Sequence, residues 1–99
     1  MSTYVMMTKL SPEALKRPQS VEDLGKEVVQ KLNEKVPQVK WIASYSLLGP
    51  YDYLDIFEAP DEQSASQAAL IVRSFGHATT ETWTAIPWER YVGLAKEIS

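Results

Sequence analysis

No cysteine occurs in the 99 residues. Disulfides, thiolate metal sites and cysteine nucleophiles are therefore excluded. Histidine is almost as scarce, with His77 the only one. A zinc or iron centre would have to be built from carboxylates around that single imidazole, so no metal and no cofactor is expected. The four glycines, Gly25, Gly49, Gly76 and Gly93, are isolated from one another, and no loop able to cradle a phosphate is present. No serine lies in a Gly-x-Ser-x-Gly elbow. No apolar run approaches the roughly 20 residues of a membrane span, so no membrane partner is expected. Positive charge is not in excess, with 10 Lys and Arg against 13 Asp and Glu. Three of the ten, Lys26, Lys31 and Lys35, sit beside acids on one predicted helix and the rest are scattered, which argues against a nucleic-acid partner. The opening Met1-Ser2-Thr3-Tyr4 has neither the basic nor the apolar region of a secretory leader. A cytoplasmic location is the expectation.

What the chain does have is enough apolar sequence, 44%, with 23% charged residues, to build a folded core. Its length predicts a single domain, 1–99. A domain this small buries only about 60–70% of its unfolded surface, which favours association with further copies.

The patterning is legible along the chain. Thr3 to Lys9 is rich in β-branched and apolar residues and reads as a strand. Ser11-Pro12-Glu13 starts a helical turn. From Ser20, Val21, Leu24, Val28 and Leu32 recur at helical spacing until Pro37. Ser20 followed by Asp23 predicts a weak capping box, and Glu22–Lys26 and Glu27–Lys31 predict i,i+4 ion pairs. Val39–Leu48 and Tyr51–Glu58 read as strands joined by a Gly49-Pro50 turn, where Gly49 would tolerate a strained φ. A second helix follows Pro60, with Ala65, Ala68, Ala69, Val72 and Phe75 as its buried stripe and Gly76 as its terminator. His77–Ile86 reads as a fourth strand. Pro87 opens a short C-terminal helix with Trp88, Tyr91, Val92 and Ala95 on one side. The order βαββαβ plus a terminal helix predicts an α+β, ferredoxin-like fold, a four-stranded antiparallel sheet with both main helices on one face.

Strand parity then sorts the two faces. Leu54 and Ile56, the aliphatic pair of the third strand, are assigned to the helix side. That leaves Tyr53, Asp55 and Phe57, with Trp41, Tyr45 and Trp83, on the uncovered face. A wide exposed aromatic face predicts a homodimer formed sheet to sheet, unless the C-terminal helix covers it alone. Asp55 and Glu81 would then make polar contacts at that interface.

Leu48-Gly49-Pro50-Tyr51-Asp52, followed by Phe57-Glu58-Ala59-Pro60-Asp61 and Thr80-Glu81-Thr82, resembles the Gly-x-Tyr-Asp signature of the GYD domain family and its flanks, over nearly the whole chain. The family is similar to the dimeric α+β barrel proteins, which implies the same sheet-to-sheet pairing. It supplies no general activity and no catalytic set. The candidate ligand-binding residues are Tyr51, Asp52, His77 and Glu81. Three of them have a plainer alternative. Asp52 is suited to accepting backbone N–H groups at the hairpin. His77 is suited to a solvent-exposed or capping place after the helix. Glu81 is suited to guarding an edge strand against unwanted pairing. Three functions are open at this point. The first is a small-molecule-binding homodimer. The second is a cofactor-free oxygenase or isomerase acting on a small hydrophobic or phenolic molecule. The third is a structural or protein-interaction module.

Overall fold

A computed structural model describes residues Met1–Ser99. Strand β1 runs Ser2–Leu10 and helix α1 Pro12–Leu15. A 3₁₀ turn, Pro18–Ser20, leads into α2, Val21–Lys35. Strands β2, Lys40–Ser46, and β3, Tyr53–Ala59, form a hairpin. Helix α3, Glu62–Ser74, strand β4, Ala78–Ala85, and helix α4, Trp88–Glu97, complete the chain. The strands lie in the order β2-β3-β1-β4 and all pair antiparallel. This is the ferredoxin-like order read from the sequence.

Local signals explain most boundaries. Ser11 Oγ accepts the N–H of Ala14 and starts α1. Asp61 caps α3, its carboxylate accepting the Ser64 N–H at 2.7 Å. Gly76 ends α3 with a φ of 78°, the one left-handed backbone in the chain. The strained glycine expected at Gly49 is absent. That loop closes instead through Leu47 N–H donating to the Asp52 carbonyl at 2.9 Å. Nor does Ser20 cap α2. The preceding 3₁₀ turn holds it in a helical conformation, so its hydroxyl donates backwards to the Arg17 carbonyl. Of the two expected ion pairs, Glu22–Lys26 forms at 3.2 Å. Lys31 lies over the Phe75 ring instead, 5.8 Å from its centroid.

Cross-strand register gives the faces. Trp41, Phe57, Tyr4 and Thr84 stand in one row on the helix side, and Ser44, Asp55, Met6 and Thr82 in the next. The core is built on these rows. Tyr4 and Phe57 stack at 5.5 Å, and Trp41 and Phe57 at 5.0 Å. Ala65, Ala68, Ala69 and Val72 of α3 and Leu32 of α2 close over them.

This corrects the sequence assignment of the third strand. Phe57, Tyr53, Asp55 and Trp41 face the helices, and Leu54 and Ile56 face away. The physical reason lies on α3. Its alanines project little, so the sheet beneath must supply the bulk, and three large aromatic rings supply it.

The open face carries the rows Ala43–Ile56–Val5–Trp83 and Tyr45–Leu54–Met7–Glu81. Tyr45 and Trp83 lie there as expected and are exposed. Helix α4 does not cover them. It makes almost no contact with the rest of the chain and buries none of its residues. The radius of gyration is 15.1 Å, against about 13 Å for a compact domain of this length.

Candidate functional site

The two long helices sit differently on the sheet. Small residues on α3 bring it down onto β1 and β3. Helix α2 presents Val21, Leu24, Val28 and Leu32, and of its residues only Leu32 is buried. Beneath α2 remains a cavity of about 320 Å³. That is at the small end of the range for ligand sites, roughly 300–1,000 Å³. Its roof is the aliphatic stripe of α2. Its floor is Trp41, Ser44, Ser46, Tyr53 and Asp55, with Leu10 and His77 on the wall.

Asp55 is the chemical centre of this floor. Strand parity places it inward between Tyr53 and Phe57, and only 7% of its surface is exposed. Its Oδ1 accepts the indole N–H of Trp41 at 3.1 Å and the hydroxyl of Ser44. Oδ2 accepts no hydrogen bond from the protein. No lysine or arginine lines the cavity. The two ion pairs of the molecule lie on the surfaces of α1 and α2. Burial therefore pushes the Asp55 carboxyl above the usual carboxylate range, opposed by its two donors. The Tyr53 phenol is also pushed up, by burial first and by the nearby Asp55 charge second.

The four residues expected from sequence are not brought together. His77 reaches the cavity wall. Asp52 is anchored on the backbone: its Oδ2 accepts the Leu10 N–H at 2.7 Å, and its own N–H donates to the Thr8 carbonyl at 2.8 Å. It thereby fixes Leu10, a wall residue, at the end of β1. Tyr51 is half-buried in the β2–β3 loop, outside the cavity. Glu81 is exposed on the open face, across from Met7. No three His, Cys, Asp or Glu side chains converge as a metal site, and no helix is long and apolar enough to cross a membrane.

Sequence reasoning missed Tyr53, Asp55, Ser44 and Trp41 as a group. Parity puts Tyr53, Asp55 and Trp41 on one face, and the missed signal was the alanine face of α3, which needs Phe57 beneath it. Tyr53, Asp55 and Phe57 alternate along one strand, so whichever face holds Phe57 in the core also holds the carboxylate there.

A second groove, of about 310 Å³, runs between α3 and β4. Its strand side is Thr80, Thr82 and Thr84, and Glu62 and Arg73 reach it from α3. Ala65, Ala69 and Leu70 also line it from α3, and it holds no buried charged group.

Comparison with known proteins agrees with this architecture. A protein of Thermus thermophilus, described as a glutamine synthetase and cystathionine beta-lyase binding protein, is 29% identical over 91 residues, covering 88% of this chain and 90% of that protein. A crystal structure of a Thermus thermophilus protein superposes with a TM-score of 0.60 at 24% identity, over 88% of this chain and 95% of that one. The crystal structure of an FFRP protein superposes with a TM-score of 0.57 at 19% identity, over 87% of this chain and all of that one. The two crystal structures share the fold. The family model described as the GYD domain matches residues 4–95, and the chain belongs to that family.

Proposed function

We propose that this chain acts as a small-molecule-binding homodimer, with its ligand held beneath α2. The observation that carries the reading is the cavity itself. It combines an aliphatic roof with a polar floor whose central carboxylate keeps one oxygen free. Ligand sites are mostly apolar concavities with a few convergent polar groups, and this one fits that description.

The dimer rests on the other face. Val5, Met7, Ala43, Tyr45, Leu54, Ile56 and Trp83 form a continuous apolar surface that nothing in the chain covers. The apolar stripe of α4 is uncovered as well, with Trp88 73% exposed and Tyr91 55% exposed. A second copy would cover both, and pairing through the open face leaves the cavity accessible on the far side of each sheet. His77 and Asp55 are proposed as the polar ligand contacts, with Asp52 positioning Leu10. Glu81, at the rim of the open face, is proposed as a contact between copies.

A second reading is a protein-interaction module. It is favoured by the description of the Thermus relative as a binding protein for two enzymes, and by the uncovered α4. The two readings separate in one preparation. Light scattering of the purified protein is expected to give about twice the chain mass of 11.2 kDa. Crystals grown without added ligand are expected to show density beneath α2. Trp83→Asp is expected to give monomers, because it sets an unpaired charge in a dry interface. A monomeric wild type, or a cavity closed by its own side chains in the crystal, would overturn the proposal and leave the interaction module.

A further inference from the structure

We infer that the cavity beneath α2 selects a small primary amine with an apolar body, its ammonium group set against Asp55 Oδ2 and its body against the α2 stripe. Four observations point the same way. First, Asp55 is 7% exposed, so an ionised carboxylate there has lost most of its water. Isolated buried charges are costly, and proteins normally pair them. Second, nothing in the chain pairs this one. Neither ion pair of the molecule involves it, and the cavity wall has no lysine or arginine.

Third, the two protein donors are neutral and both use Oδ1. They hold the carboxylate in a fixed orientation and leave Oδ2 for something else. A cation answers that vacant acceptor better than a hydroxyl, because a charge-assisted hydrogen bond is roughly twice as strong as a neutral one. Fourth, polar and apolar surfaces are segregated. Ser44, Ser46, Tyr53 and Asp55 lie on the sheet, and Val21, Leu24, Val28 and Leu32 lie opposite on α2. A ligand filling the cavity must be polar at one end only. Trp41 and Tyr53 border the polar end, where an aromatic ring favours a cation. A carboxylate ligand would meet repulsion from Asp55, with the His77 imidazole as the one basic side chain on the wall.

The amine class presupposes that the cavity binds small molecules at all, so the experiment carries a neutral arm. The intact protein is titrated near pH 8 with 2-phenylethylamine, 2-phenylethanol and 3-phenylpropanoate, which share a phenyl body. Calorimetry gives the affinities, and amide chemical shifts give the location. The amine is expected to bind about tenfold more tightly than the alcohol, or better, and the carboxylate most weakly, all by shifts at α2 and β3. Asp55→Asn retains the shape and an acceptor for Ser44 and Trp41. In that variant the amine should fall to within about threefold of the alcohol, while the alcohol stays unchanged. Equal binding of alcohol and amine to the wild type would overturn the amine class and leave the small-molecule reading standing. So would an amine preference that survives in Asp55→Asn. Failure of all three ligands to shift the cavity amides would remove both. The wild-type series needs no variant to fold.

Discussion

Helices α2 and α3 cover the same face of the same sheet, yet they make opposite uses of it. Helix α3 is capped by Asp61, closed by Gly76 and faced with alanine, and it buries Ser64, Ala65, Ala68, Ala69 and Val72. Helix α2 has no side-chain cap, presents larger aliphatic residues and buries only Leu32. The difference shows how one packing surface yields both a core and a cavity. Small residues on a helix let it descend onto large residues of the sheet. Large residues on a helix hold it away from this floor, because aliphatic carbon closing on Ser46 and on Asp55 Oδ2 would leave them without a hydrogen-bond partner. The α3 half holds the chain together, and the α2 half keeps space and chemistry.

The largest effect should come from the floor that both helices use. Phe57 is fully buried and stacks on Tyr4 and Trp41. Phe57→Ala is expected to cost about 3–5 kcal/mol. In a chain of this length that lowers the melting midpoint by well over 10 °C, since each kcal/mol is worth roughly 4–8 °C. A shift of only a few degrees would mean that the aromatic row is not the core.

The helices themselves can be set against each other by adding volume to each. Ala68 has no exposed surface. Ala68→Leu should therefore overpack α3 and cost about 1–3 kcal/mol. Val28→Phe under α2 has space to enter and should change stability by about 0.5 kcal/mol or less, while abolishing ligand binding. Equal costs at the two positions, read by chemical denaturation, would erase the contrast between the helices.

Asp52 tests the rim of the cavity. Its carboxylate holds the Leu10 N–H at 2.7 Å. Asp52→Asn exchanges that charge-assisted bond for a neutral one and is expected to cost about 1–2 kcal/mol. An unchanged thermal midpoint would release Asp52 from this structural duty.

The smallest effect is in pH dependence, and it has opposite signs at the two aspartates. The Asp55 carboxyl is raised by burial in the folded state. Its contribution to stability is fully present below the usual carboxylate range and is lost as pH rises through the raised folded value. Asp55→Asn should therefore match or exceed the wild type at neutral pH, and that advantage should disappear in acid. The Asp61 carboxyl is lowered, first by the Ser64 backbone N–H. Its contribution is present above the usual carboxylate range and is lost as pH falls through the depressed value. Asp61→Asn should be less stable than wild type at neutral pH and converge on it in acid. Melting curves of both variants from neutral pH to about pH 3 check the two signs.

Much of this was readable in the residues. The strands and helices announced themselves through period-2 and helical spacing, and Gly76 and Pro87 marked ends that the structure keeps. The faces were harder. Assigning Leu54 and Ile56 inward treated aliphatic residues as the natural core, although parity alone fixes only which residues share a face. The alanines of α3 held the deciding information, since a helix faced with Ala65, Ala68 and Ala69 needs large partners such as Phe57 and Tyr4 beneath it. The site was hidden for the same reason. Asp55 looked like an interface residue until Phe57 went inward and took it along. The capping role of Ser20 failed because the 3₁₀ turn before it, a matter of Pro18 and local backbone, turned its hydroxyl the other way.

The proposed contrast is that small molecules enter the space beneath α2 and not the surface of α3. Amide chemical shifts of the intact protein in benzene-saturated buffer test it most directly, because benzene brings no charge and seeks only apolar space. Shifts are expected at Val21, Leu24 and Val28 of α2 and at Tyr53 and Asp55 of β3, with α3 and β4 unmoved. Shifts confined to the threonine-lined groove between α3 and β4, or no shifts at all, would contradict it.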